Sequence, residues 1–443
     1  MSPPTVILGA GIIGVSTAYY LSQEQQQKQQ DASNIHLVDP SPELFSSASG
    51  FAGGFLAQDW FGTETAALGA LSFREHRRLA EEHGGREKWG YSPSTCFSYA
   101  ASVAGRDELA RGDDWLREGT SRAEAAPPDA VGDGPDSGGA PAWLRRVDGD
   151  HVELIGDPGT AAQADPFLLC QFLLKECLGR EVQLHHPARP VSVLKDENGQ
   201  IAGIRIADAG SARETELPCE RLIITAGAWT GQVFKTLFPT SEIKIPIKSL
   251  AGHSLLVKSP RWHRGMETDG CHAVFTNHSE GFCPEVFSRL GGHIYFAGLN
   301  SSTLPLPDGT TGKAMPYKED IALLRRVARD MLGPGPEPEL GAADNDGDVE
   351  VIREALCFRP VTPWGRPIIT RIPDRHLGAG TATRPGVEGG VYLAAGHGPW
   401  GIALSLGTGL VMADMLQGRT PRADVKESVF DPDAIADLSQ PVT

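Results

Sequence analysis

An α/β architecture is predicted, in which a domain on a parallel sheet is interleaved along the chain with a second domain on a largely antiparallel mixed sheet. Three observations predict it. The first is a glycine fingerprint at the start, Val6-Ile7-Leu8-Gly9-Ala10-Gly11-Ile12-Ile13-Gly14, which follows an apolar run and opens an apolar helical stretch. The second is a group of strand-like pieces between Ile245 and Leu299, namely His253 to Val257, Ala273 to Thr276 and His293 to Phe296. The third is a return to apolar strands at Ile368 and Val391, closed by a helix from about Ile402 to Leu416. A chain that leaves its first sheet and comes back to it weaves its domains from discontinuous segments.

Each part of the fingerprint has a physical reason. The apolar run reads as a buried parallel strand, Gly9 as the tight turn, Gly11 as the close backbone approach to a pyrophosphate, and Gly14 as the contact of helix on strand. Asp39 ends the next strand, His36-Leu37-Val38, and lies 39 − 14 = 25 residues beyond Gly14. That is near the distance of about 20 expected for the acid that accepts hydrogen bonds from an adenosine ribose. The Gln-rich segment Gln23 to Gln30 accounts for the excess as a lengthened connection. The strand, helix and acid around it distinguish this fingerprint from a chance match in a chain with 52 glycines. It is a Rossmann-type dinucleotide site.

Composition narrows the class. The 443 residues, 40% hydrophobic and 22% charged, are enough for two soluble globular domains. The net charge of −16 repels phosphate backbones and anionic headgroups, so nucleic acid is not an expected partner. Seven cysteines without CxxC spacing suggest neither a disulfide framework nor a metal site, and a reducing, cytoplasmic setting is expected. No signal peptide is expected ahead of the first strand, and the last residues are not a peroxisomal address. Val391 to Ala413 is almost uncharged, but Gly396, Gly398, Pro399 and Gly401 break it in the middle. It is expected to be a buried strand, turn and helix rather than a membrane span.

Between these landmarks, Pro166 to Cys177 has helical spacing, Gln183 to Leu194 and Ile201 to Ile206 alternate like paired strands, and Arg221 to Thr225 is a short buried strand running into Gly227 and Trp229. Residues 111–149 and 333–348 are read as polar loop insertions too rich in breakers to pack, and 421–443 as a C-terminal tail. The nucleotide-binding domain is assigned to 1–60, 151–240 and 350–420, and the substrate domain to 61–150 and 241–349.

Three further motifs carry a family resemblance: Ser46-Ser47-Ala48-Ser49-Gly50-Phe51-Ala52-Gly53-Gly54-Phe55, Cys357-Phe358-Arg359-Pro360-Val361-Thr362-Pro363, and Gly396-His397-Gly398-Pro399-Trp400-Gly401. In family order, they resemble the D-amino-acid oxidase (DAO) family of FAD-dependent oxidoreductases along nearly the whole chain. The segments Gly53 to Ala57 and Pro284 to Arg289 look most like a fungal branch that includes a yeast protein linked to endosomal traffic. The resemblance implies a glutathione-reductase-like FAD domain and selects FAD, where the fingerprint alone also admits NAD. Cofactor contacts are thereby expected from Gly9, Gly11, Ile12, Ile13, Gly14 and Asp39, from Ser46, Ser47, Ser49, Gly53, Gly54 and Phe55, from Val191, Gly227, Trp229 and Cys357, and from Gly396, Gly398, Gly401 and Ile402.

The resemblance also implies roles. Arg359 would grip a substrate carboxylate with its two-donor fork. Trp400 would line the substrate side, with core packing as the alternative, and His397 would act near the flavin or be a satisfied structural histidine. Cys357 with Thr362-Pro363 has the spacing of a thioether-linked flavin, although Arg359-Pro360 suits noncovalent relatives, so noncovalent FAD is expected and a link at Cys357 is the alternative. The lysine that speeds oxygen reaction in sarcosine-type enzymes has no counterpart in Ile294 to Gly298, and Lys244 and Lys248 read as solvated. No metal is expected.

The reading is an oxidoreductase that moves a hydride from the carbon bearing an amine to flavin N5, leaving an imine for water to hydrolyse, with oxygen or another compound as acceptor. Two alternatives stay open: a flavin-binding protein with a regulatory or endosomal trafficking role, and an NAD-linked dehydrogenase.

Overall fold

The computed structural model describes residues 2–100, 140–146, 150–211, 213–278, 280–310, 313–332 and 349–421. The 333–348 insertion, most of the 111–149 insertion and the tail beyond 421 lie outside the described residues.

The first sheet has six strands in the order Ile368–Ile372, Gly390–Ala395, Arg221–Ile224, Thr5–Leu8, Ile35–Val38 and Gln183–His185. All neighbours are parallel except the Ile368–Ile372 and Gly390–Ala395 pair. Its strands are nearly continuous apolar runs because both faces are covered. Ile7, Ile223 and Tyr392 face one core with the helices Ile12–Gln27, Pro166–Gly179 and Gly401–Leu416. Val6, Leu8, Leu222, Ile224 and Leu393 face the other, against Phe234 and Leu237 of the helix Thr230–Leu237 and a three-stranded antiparallel sheet built from Ala188–Lys195, Ile201–Asp208 and Glu214–Pro218.

The helical run Gly398–Leu416, which continues into the helix Gly401–Leu416, is long and apolar enough to cross a membrane, yet 83% of its apolar window is buried inside the protein. It is a core helix. Two glycines let it pack on both sides: a Cβ on Gly409 would stand 2.7 Å from the Ser16 backbone, and one on Gly407 would stand 2.9 Å from the Ser72 side chain. The Gly407 amide donates to Ser72 Oγ at 3.0 Å, which ties this helix to the helix Thr63–His83.

The second sheet is the larger one. Glu350–Val361, Lys248–Lys258, His293–Ser301, Glu285–Arg289 and Cys271–Asn277 follow one another, antiparallel throughout. Ser92–Ala100 then joins in parallel with Cys271–Asn277, and carries His151–Ile155, Ala161–Gln163 and Phe55–Ala57 beyond it. One face is capped by the helix Lys318–Leu332, whose Ile321, Leu324, Val327, Ala328 and Met331 recur at helical spacing and are all buried.

Four expectations are corrected here. Glu350–Val361, assigned to the nucleotide-binding segment 350–420, is an edge strand of the large sheet, because its ladder runs along Lys248–Lys258. The start of segment 151–240 likewise adds His151–Ile155 and Ala161–Gln163 to that sheet, and helix Thr63–His83, expected in the substrate domain, packs on the nucleotide-domain helix Gly401–Leu416. Finally, the expectation that 111–149 does not pack fails at its described end: Trp143 is 1% exposed and joins Met331 and Val274 in the core beneath the large sheet. A polar composition hid one anchoring tryptophan.

Burial of histidines sets the response to acid. His76 donates Nε2–H to the Ile402 carbonyl at 3.0 Å, and burial pulls its pKa from 6.5 to about 4; burial pulls His397 to about 3. Between those values and 6.5 the unfolded chain binds protons that the folded one refuses, so stability falls as pH drops through that window. Thermal melts should show this loss below about pH 6.5, with a shallower pH slope in His76→Gln. An unchanged slope in the variant would show that His76 is not held neutral.

Candidate active site

The two sheets meet at an elongated cleft enclosing about 2180 Å³ of space free of atoms, open solvent included. At one end Asp39 closes the second strand, its Oδ2 accepting from the Ala10 amide at 2.8 Å and its Oδ1 from the Ser41 amide at 3.0 Å, which fixes the carboxylate at the cleft wall. Next comes the start of the helix Ile12–Gln27. Gly9 has φ +106°, and a Cβ there would stand 2.7 Å from the Thr225 carbonyl oxygen. The Ile12 amide donates to Ser49 Oγ at 2.9 Å, and Gly11, Ile12 and Ile13 line the cleft. A helix start suits a pyrophosphate, and Ser49 holds the facing loop against it.

That loop, with Ser46, Ser47, Gly53, Gly54 and Phe55 at the cleft wall, is locked from the large sheet. Arg289, only 3% exposed, donates through Nε to the Gly53 carbonyl at 3.1 Å and through Nη2 to the Ala52 and Gly53 carbonyls at 2.5 and 2.7 Å. Its guanidinium lies 5.1 Å over the Tyr295 ring and 3.6 Å from Asp165, the residue that caps the helix Pro166–Gly179. Burial lowers the Arg289 pKa, and Asp165 opposes the shift. A second arginine, Arg353, sits 4.9 Å over the ring of Phe51. Gly54 has φ +81° and no room for a side chain, the Ala164 oxygen lying 1.9 Å from a Cβ.

At the other end, Cys357 and Arg359 line the cleft from the edge strand, whose Val361 bridges to His397 in the turn before the last helix. The Arg359 guanidinium lies across the sheet in the space left by Gly252, where a Cβ would stand 2.3 Å from Nη1, and Nη1 donates to Asn300 Oδ1 at 2.5 Å. Burial raises the Cys357 thiol pKa, and Arg359 and Arg353 partly offset it. His397, Gly398, Gly401 and Ile402 bring the start of the helix Gly401–Leu416, with its partial positive charge, to the same region.

Of the expected site residues, Gly227 and Trp229 also line the cleft, and Trp229 Nε1 donates to the Pro307 carbonyl at 2.7 Å. Five stand elsewhere or differently. Gly14 is behind the wall, where a Cβ would meet the Gly9 oxygen at 1.9 Å, so it serves helix-on-strand packing. Gly396, with φ +83°, lies against Thr362. Val191 sits at an irregularity between Pro190 and Ser192 that brings Arg189 and Pro190 to the cleft instead. Trp400 packs inward, 8% exposed, with its ring 4.9 Å from that of Phe61 and 6.4 Å from that of Phe55. His397 lines the cleft but is 2% exposed and its Nε2 pairs with Thr408 Oγ1 at 3.0 Å, as a satisfied structural histidine does. Arg289, Gly252 and Asn300 were not anticipated; the one sequence signal for them is that Arg289 ends the Pro284 to Arg289 stretch.

Over residues 5–415 the sequence matches the DAO family, described as FAD-dependent oxidoreductases. The chain belongs to the DAO family. This selects FAD over the nicotinamide alternative, and the cleft fits it: an acid for the ribose, helix amides for the pyrophosphate and a glycine loop with no room for side chains. Among curated DAO-like proteins it resembles, at 25% identity over 97% of each chain, a candidate oxidoreductase of Schizosaccharomyces pombe. It also resembles candidate oxidoreductase TDA3 of Saccharomyces cerevisiae, at 23% identity over 96% of this chain and 94% of that one. Similar solved folds include glycine oxidase from Geobacillus kaustophilus, with a TM-score of 0.65, 19% identity and 95% of each chain covered. Iminodiacetate oxidase from Chelativorans sp. BNC1 has a TM-score of 0.63 and 18% identity, with 97% of this chain and 99% of that one covered. L-amino acid deaminase from Proteus vulgaris has a TM-score of 0.66 and 13% identity, with 98% and 96% covered.

Proposed function

We propose that this DAO-family protein oxidises the C–N bond of a small amino acid or other carboxylate-bearing amine, with oxygen as the final acceptor. The observation that carries the reading is the Arg359 guanidinium, laid over Gly252 at the cleft wall on the same strand as Cys357. FAD, when bound, supplies the two-electron acceptor for the C–N carbon. The chain supplies position and electrostatics. Arg359 holds the carboxylate with a charge it cannot lose, which aims the α-carbon into the cleft. Phe287 and Tyr295, with rings stacked at 6.0 Å, keep water from the reacting bond. The start of the helix Gly401–Leu416 favours negative charge accumulating beside it, on the order of 1 kcal/mol. In this reading FAD is held noncovalently, since burial keeps Cys357 in its thiol form. Substrates in the names of similar folds, glycine and iminodiacetate, are small amines with carboxylates. A cytoplasmic location suits a chain with seven cysteines and no CxxC spacing.

The test is a panel of amines mixed with the FAD-loaded protein without oxygen while the visible flavin absorbance is followed. Carboxylate-bearing amines are expected to bleach it and their decarboxylated counterparts to fail. Equal bleaching by both would overturn the reading.

A further inference from the structure

We propose that Arg289 is a positioning residue for the flavin: by taking two successive carbonyls of the cleft loop, it turns the Gly53 and Gly54 amides toward the ring and favours its reduction. The proposal rests on FAD in the cleft and is independent of the reading of Arg359.

Hydrogen bonds fix the orientation. Arg289 donates through Nη2 to the Ala52 carbonyl at 2.5 Å, and through Nε and Nη2 to the Gly53 carbonyl at 3.1 and 2.7 Å. Gln163, which is fully buried, adds Nε2 to the same Gly53 oxygen at 2.5 Å. Both carbonyls therefore point into the protein. Both peptide bonds are trans, and a planar trans peptide sets its N–H opposite its C=O, so the Gly53 and Gly54 amides point away from the guanidinium. Gly53 and Gly54 line the cleft, whereas Arg289 and Gln163 stand behind its wall. Among the described residues no carbonyl accepts from either amide. Backbone donors of this kind are satisfied by solvent or by a ligand.

The arrangement is held on every side that the protein offers. Asp165 lies 3.6 Å from Arg289 Nη1, and the Tyr295 ring lies 5.1 Å from the guanidinium, which fixes the fork itself. A Cβ on Gly53 would stand 2.6 Å from the Phe287 ring, and one on Gly54 would stand 1.9 Å from the Ala164 oxygen, so the loop has no slack toward the sheet. A guanidinium fork matches carboxylates and phosphates best. Here it spends three hydrogen bonds on two uncharged carbonyls, and what they specify is the direction of two amides.

Successive amides aimed one way make an anion-accepting concavity. Donors on the carbonyl oxygens also polarise each peptide, which strengthens its N–H as a donor. Along the cleft these amides follow Asp39 and the start of the helix Ile12–Gln27, on the way to Cys357 and Arg359, where the ring of an FAD extended from Asp39 falls. Taking a hydride leaves that ring with one more negative charge. Donors already fixed in place stabilise the charge without reorganising.

The experiment reads a potential. The midpoint potential of bound FAD is measured against reference dyes in wild type, Arg289→Lys and Gln163→Leu, with the FAD dissociation constant alongside. Arg289→Lys keeps the charge but loses the fork, so the two-electron equilibrium should shift toward the oxidised form about 10- to 100-fold, equivalent to a potential about 30–60 mV lower. Gln163→Leu changes no charge and should shift it about 3-fold in the same direction. An Arg289→Lys protein that holds FAD at the wild-type potential would overturn the proposal. If that variant does not load, an unchanged potential in Gln163→Leu would do so. A crystal structure of the loaded wild type should show both amides donating to the flavin, and amides that meet only water would overturn the proposal as well. None of these outcomes bears on Arg359, whose role is decided by the panel of amines.

Discussion

Arg359→Ala is expected to lower kcat/KM for carboxylate-bearing amines by about 100-fold or more, while FAD stays bound in full. The magnitude follows from losing hydrogen bonds to a charged group, about 1.5–3 kcal/mol each, where about 1.4 kcal/mol is tenfold. Retention of FAD follows from the geometry. The Arg359 hydrogen bond runs to Asn300 in the large sheet, whereas the loop at Gly53 is held by Arg289 and the pyrophosphate end by Gly9 to Ile13. Gly252→Ala should produce a milder form of the same defect, because its Cβ would occupy the place of Arg359 Nη1. Steady-state kinetics with a carboxylate-bearing amine, alongside the ratio of FAD to protein, check both. An Arg359→Ala enzyme with unchanged kcat/KM would remove Arg359 from the site.

Gly14→Ala should give the largest loss of cofactor. A Cβ at this position would lie 1.9 Å from the Gly9 oxygen and 2.8 Å from Thr225 Oγ1, so the helix Ile12–Gln27 must move off the first strand and carry its N-terminus with it. Overpacking of this kind costs roughly 1–3 kcal/mol in stability, and displacement of the helix start also misplaces the pyrophosphate cradle. The variant is expected to elute from desalting colourless and to melt earlier than wild type. Gly179→Ala, where a Cβ meets nothing within 4 Å, should keep both colour and melting temperature. A yellow, fully loaded Gly14→Ala protein would contradict the packing role.

How far the sequence could be read depended on whether a feature is local. The nucleotide half is local: Gly9, Gly11 and Gly14 must be glycines within one strand–turn–helix unit, and the apolar runs at Val6, Leu222 and Val391 follow from a sheet buried on both faces. The last helix was legible for the same reason, its boundary punctuated by Gly396 to Gly401. The other half depends on partners far along the chain. Nothing near Arg289 says that its guanidinium will reach the carbonyls of Ala52 and Gly53, and nothing near Gly252 says that Arg359 will lie on it. Trp400 and His397 occupy a motif that looks functional, but Phe61, Phe55 and Thr408 turn both side chains into packing. The edge strand Glu350–Val361 was placed with the wrong sheet because its partner, Lys248–Lys258, lies about a hundred residues earlier.

The most direct test is a crystal structure of the FAD-loaded protein soaked with propionate or cyclopentanecarboxylate. The carboxylate should sit on the Arg359 guanidinium, between Asn300 and the flavin ring. A carboxylate bound elsewhere, with Arg359 still paired only to Asn300, would contradict the proposed substrate site.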